Sequence, residues 1–86
     1  MFLNKCKGAT FVNKVIEAKI GSNIRKLREA AGLTQEQLSA RLQTEGCDIT
    51  RSALAKIEVG QRHLYPDEIV ILRKLLKTEY NDIFEM

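Results

Sequence analysis

The stretch from Thr34 to Arg62 constrains the fold most, because it carries two helix starts a short distance apart with a turn between them. Thr34 followed by Gln35, Glu36 and Gln37 has the form of a capping box. The Thr34 hydroxyl can accept the Gln37 backbone N–H while the Gln37 side chain reaches back to the Thr34 N–H. A helix is therefore predicted from Gln35. Leu38 and Leu42, four apart, stack on one face of it as a narrow apolar stripe. From Gln43 to Asp48 the chain becomes mostly polar, with Gly46 suited to a positive φ and Asp48 to a turn. Thr50 restarts the helical signal as a second N-cap, Leu54 and Ile57 fall three apart on an inner face, and Gly60 is the C-terminal stop.

A helix so short cannot bury both faces. Arg51, Ser52, Ala55, Lys56 and Val59 fall away from Leu54 and Ile57, so their side chains are predicted to point outward. Arginine can fork onto the O6 and N7 of guanine, and lysine can donate to the same acceptors. Serine is small enough to let a helix approach base edges in the major groove. These are the residue types that reading duplex DNA requires.

Three runs carry a resemblance: Gly21-Ser22-Asn23-Ile24-Arg25-Lys26-Leu27-Arg28, then Gly32-Leu33-Thr34-Gln35-Glu36-Gln37-Leu38, then Ile49-Thr50-Arg51-Ser52-Ala53-Leu54-Ala55-Lys56-Ile57-Glu58-Val59-Gly60. Over roughly residues 20 to 84 the chain resembles the Cro-type (Xre-type) helix-turn-helix regulators, related to phage repressors. The resemblance implies an all-α, five-helix repressor-like domain over 20–86, with 1–19 as an N-terminal extension. By the same resemblance Arg51, Ser52 and Lys56 face bases, while Gln35, Thr50, Gln61 and Arg62 contact phosphates. It also pairs an arginine of the first helix with a glutamate ending the recognition helix, here Arg28 and Glu58 in a structural role. Two positions depart from the family pattern. The connection from Gln43 to Asp48 is several residues longer than the usual turn, and Ser39 stands where alanine is common, against the partner helix.

The rest of the chain narrows the alternatives. Its 86 residues suffice for one domain with a core but not for a separate sensor or catalytic domain. No Trp and few aromatics are present to stack single strands, so double-stranded nucleic acid fits better. The net charge of +3 lies entirely in residues 1 to 20, where Lys5, Lys7, Lys14 and Lys19 oppose Glu17. Bulk charge is therefore weak support for DNA. Segregation matters more: Asp67, Glu68, Glu79, Asp82 and Glu85 lie late in the sequence, away from Arg51, Lys56 and Arg62. No apolar run approaches membrane-spanning length and no long apolar signal region opens the chain, so a cytoplasmic protein without a membrane partner is expected. Cys6, Cys47 and His63 show no CxxC or HxxxH spacing, so neither a metal site nor a cofactor is expected. Free thiols are the default in a reducing compartment.

Thr10 can cap a short helix from Phe11 to Ile20, with Phe11, Val15 and Ile16 inward, or the segment is an arm. Lys7-Gly8-Ala9 is compatible with a purine-rich ribosome-binding sequence ahead of Val12, which a GTG codon can start. Ser22 is predicted to cap a helix over 22–31, with Ile20, Ile24, Leu27 and Ala31 at helical spacing and Gly32 as its stop. Arg25 and Lys26 point outward, as solvated surface or phosphate contacts. After the His63 loop, Pro66 suits a first helical position with Asp67 and Glu68 behind it. Ile69, Leu72, Leu75 and Leu76 form the inner stripe of that helix. Ile71, Tyr80, Ile83 and Phe84 add apolar surface that is a candidate dimer interface, or else simply closes the core.

These readings converge on a sequence-specific DNA-binding transcriptional regulator, a repressor, whose homodimer places two recognition helices in successive major grooves about 34 Å apart. The alternative is an antitoxin-like interaction module whose C-terminal apolar surface covers a protein partner, with DNA binding secondary. A neighbouring gene for a small toxin would favour it. An enzyme is not expected. No nucleophile has a base beside it in pattern, and no glycine-rich phosphate loop follows a strand.

Overall fold

Thr34 adopts extended backbone and its hydroxyl accepts the Gln37 N–H at 3.0 Å, while the Gln37 side chain takes the Thr34 N–H at 2.9 Å. Both orphan donors are satisfied and a helix starts at Gln35 as the capping box requires. The computed structural model describes the backbone over residues 2–86 and side chains over 14–86. It contains α1 (Phe2–Ala30), α2 (Gln35–Thr44), α3 (Arg51–Glu58), α4 (Pro66–Leu76) and α5 (Tyr80–Phe84), with no strand among the described residues. No described helix is long and apolar enough to cross a membrane. The side-chain expectations on Cys6, Thr10 and Phe11 lie outside the described residues.

One expectation is corrected at once. Ser22 caps nothing: it lies inside α1, which runs unbroken through Gly21 and Ser22 to Ala30. Gly21 is there for packing rather than for a turn. A Cβ on it would lie 2.1 Å from the Ile57 carbonyl oxygen, so only a glycine lets α1 cross the end of α3 this closely. Gly32, at φ +75°, ends α1 in the left-handed region that glycine enters without a Cβ penalty.

The helices close around Ile24, Leu38, Leu42, Ile49, Leu54, Ile57, Leu72 and Ile83, all fully buried. Each such side chain stabilises the fold by about 1.5–3 kcal/mol through apolar burial. Ile83 is thus corrected from dimer surface to core. Its helix is held on α1 by Asn23, whose Nδ2 donates to the Ile83 and Glu85 carbonyls at 2.9 and 2.8 Å. The sequence pattern failed here because a five-residue helix spans little more than one turn, too short for a stripe to reveal which face is inward.

The lengthened connection between α2 and α3 folds back onto the core instead of splaying the two helices. Gly46 takes φ +85°, the Cys47 N–H donates to the Leu42 carbonyl at 2.8 Å, and Cys47 and Ile49 are buried. Ser39 answers the extra residues chemically. Its buried hydroxyl donates to the Ile49 carbonyl at 2.8 Å, a bond alanine could not make.

Candidate nucleic-acid interface

The recognition element is built by the period of one helix. Thr50 is the N-cap of α3, its hydroxyl accepting the Ala53 N–H at 3.1 Å, which fixes where the helix begins and so which residues face which way. Leu54, Ile57 and Glu58 turn inward. Arg51, Ser52 and Lys56 are exposed on the opposite side, and Val59 is 59% exposed at the C-cap. No described carboxylate forms an ion pair with Arg51 or Lys56.

The inward end of α3 is anchored by charge. Glu58 Oε2 accepts from Arg28 Nε at 2.7 Å and Oε1 from Arg28 Nη2 at 3.1 Å, a two-pronged pair whose side chains are 10% and 1% exposed. Arg28 Nη1 also donates to the Leu33 carbonyl at 2.8 Å, and Gln35 Nε2 donates to Glu58 Oε1 at 3.0 Å. The Arg28–Glu58 pair therefore ties together α1, the loop after it, the start of α2 and the end of α3. Hydrogen bonding to Glu58 raises the Arg28 pKa further above its ordinary value, against the opposing effect of burial. The guanidinium remains charged.

The four residues expected at phosphates are each placed differently. The Thr50 hydroxyl accepts the cap bond and keeps its proton to donate outward. Gln35 is half-buried, one amide proton committed to Glu58, at the N-terminal end of α2 where unpaired backbone N–H groups favour anions. Gln61 is exposed at the side chain, with its backbone N–H held by the Lys56 carbonyl at 2.8 Å. Arg62 is occupied inside the chain. Its Nη1 and Nη2 donate to the two oxygens of Glu68 at 3.0 Å each, and Nη1 donates to the His63 carbonyl at 2.8 Å.

Sequence reasoning missed this Arg62–Glu68 pair, which spans the loop and the Pro66 helix start at a separation no periodic rule covers. The available signal was Glu68 at the third position of α4, where its Oε1 also accepts the Tyr65 N–H at 3.0 Å. Burial alone would push the Glu68 carboxyl up. The Arg62 and Tyr65 hydrogen bonds and the guanidinium charge overrule it, and Glu68 titrates below the usual carboxylate range. His63, in the same loop, pairs with Glu17 of α1. Cys47 is a buried free thiol whose pKa burial pushes upward, so it is poorly placed for redox chemistry.

Of the expected dimer-surface residues, Tyr80 and Phe84 are each 41% exposed and Ile71 packs partly against the core. Val70 and Met86 add exposed apolar area.

No curated protein and no solved structure matches the chain. A family model described as helix-turn-helix matches residues 24–83, from the buried Ile24 of α1 to the buried Ile83 of α5, and so takes in the whole core and both motif helices. The match implies DNA as a partner and a DNA-binding rather than an enzymatic role. By this match, the chain belongs to the Cro/C1-type (Xre) helix-turn-helix family.

Proposed function

We propose that the protein is a sequence-specific transcriptional repressor that binds duplex DNA as a homodimer, with α3 as the recognition helix. Arg51, Ser52 and Lys56 read base edges in the major groove. Gln35, Thr50 and Gln61 position the helix against phosphates. The observation that carries this reading is the exposure of Arg51, Ser52 and Lys56 on a helix whose other face is fully committed to the core. Arg62 has a different role in this reading from the one its sequence position suggests. Its fork is held by Glu68, so it shapes the loop that presents Gln61 and reaches a phosphate only by exchanging one anion for another.

A dimer follows from the arithmetic of readout. One good side chain–base pair supplies about 1–3 kcal/mol of discrimination, so a single short helix separates few sites, and a second copy doubles the information. The exposed Tyr80 and Phe84, beside the partly covered Ile71, are the proposed contact between copies. Such a dimer acts at a promoter by covering it.

Selection from random duplexes tests the reading. Enrichment of a two-fold symmetric motif whose half-sites are centred about one helical turn apart is the expected result. Recovery of no common sequence would overturn it.

A further inference from the structure

Residues 14–18 of α1 play no part in the function proposed above, yet this stretch is tied to the same loop. Ala18 lies against Gly60 so closely that a Cβ on Gly60 would meet the Ala18 Cα at 2.7 Å. At the preceding residue, Glu17 pairs with His63. These two contacts fix the course of α1 relative to the α3–α4 loop. Lys14, Val15 and Ala18 then border a shallow depression together with Val59, Gly60 and Gln61. Val59 follows Ala55 by four and Lys56 by three, on the side of α3 that carries the base-facing residues. The depression is thus continuous with that face, with Lys14 exposed along its rim and Gln61 across it.

The described residues include no carboxylate paired with the exposed Lys14, so this surface carries an uncompensated positive charge. We propose that residues 14–18 of α1 are a second DNA-contacting element, in which the Lys14 ammonium takes a backbone phosphate outside the bases that α3 reads, next to the phosphate positioned by Gln61. The inference rests on the DNA-binding reading and enlarges its footprint. Charge complementarity selects duplex backbone as the occupant of this surface, and a second copy of the chain covering Val15 and Val59 is the competing outcome.

The test uses the full chain and a mixed-sequence duplex, titrated by fluorescence anisotropy between about 50 and 200 mM salt, where the phosphate contribution changes steeply. Lys14→Gln is expected to weaken binding about tenfold at the low-salt end and to reduce the slope of log affinity against log salt by about 1, the signature of one lost phosphate contact. Lys14→Glu is expected to weaken it further. Neither change should move the melting temperature, because Lys14 is exposed. Wild-type affinity and slope in Lys14→Gln, alongside altered sequence choice in Arg51→Ala, would overturn this inference and leave the recognition helix in place. An unchanged slope with a changed sedimentation coefficient would identify the surface as a contact between copies, and also overturn it. Failure of the unaltered chain to bind the duplex at all would remove both readings.

Discussion

Within the eight residues of α3, Leu54, Ile57 and Glu58 are at most 4% exposed while Arg51, Ser52 and Lys56 stand in solvent. Charged residues sit on both sides, and the two sides treat charge differently. On the dry side, Glu58 is surrounded by donors from Arg28 and Gln35, so its carboxylate is fixed in place before any partner arrives. On the wet side, Arg51 and Lys56 keep their hydration and freedom until a ligand replaces them. A helical period of 3.6 residues separates the two jobs without any extra structure. Substitutions on the dry side should change folding, and those on the wet side should change binding.

The sharpest way to break that separation is Glu58→Ala. It strands the buried Arg28 guanidinium, and cutting one partner of a buried pair costs about 3–5 kcal/mol. A large drop in melting temperature is expected, and an unchanged melt would remove the ion pair as the anchor of α3. Gly21→Ala tests the same crossing through sterics. With the new Cβ against the Ile57 carbonyl, a loss of about 1–3 kcal/mol is expected from overpacking in a denaturant titration, while a neutral result would mean that α1 can shift freely across α3.

Smaller effects sharpen the contrast. Thr34→Ala removes the cap of α2 and is expected to cost about 1 kcal/mol. Glu68 predicts a pH dependence. Its carboxyl titrates below the ordinary value of 4.5, so its pair with Arg62 contributes stability that is complete above that pH. The contribution disappears as pH falls through the lower, folded-state value. Glu68→Gln should therefore flatten the acid limb of a melting-temperature profile below pH 4.5, and an identical limb would show that the pair carries no linkage. Smallest of all, Arg25→Ala breaks an exposed pair with Glu29 four residues on, worth about 0.3–0.5 kcal/mol at most in such settings.

What could be read from the sequence follows from which forces are local. The Thr34 capping box, the Thr50 cap, the spacing of Leu38 with Leu42 and of Leu54 with Ile57, and Pro66 at the start of α4 are all set by neighbours within a turn, and each lies where the sequence puts it. Ser22 reads as a helix start because serine is a good N-cap, and the glycine before it offers no local signal of its own. The structure uses the glycine to admit the Ile57 carbonyl from 36 positions away, which no local pattern contains. A run of small residues facing one neighbour, Ala18 and Gly21, was the usable hint. Ile83 was misplaced, and the internal partner of Arg62 went unseen, for the same reason. Asn23 and Glu68, their respective anchors, act across loops rather than along a helix. At the site, the outward face of α3 was legible because periodicity decides it. The occupied state of Arg62 was not.

The most direct test of the central claim is a matched pair of measurements on Arg51→Ala, its thermal melt and its preferred sequence from random-duplex selection. The account predicts a stability within about 0.5 kcal/mol of the unaltered chain, as expected for an exposed side chain, together with relaxed preference at one position of each half-site. A variant that selects the same motif with undiminished preference would contradict the assignment of this face to base reading. A variant that loses its fold would contradict the separation of the two faces.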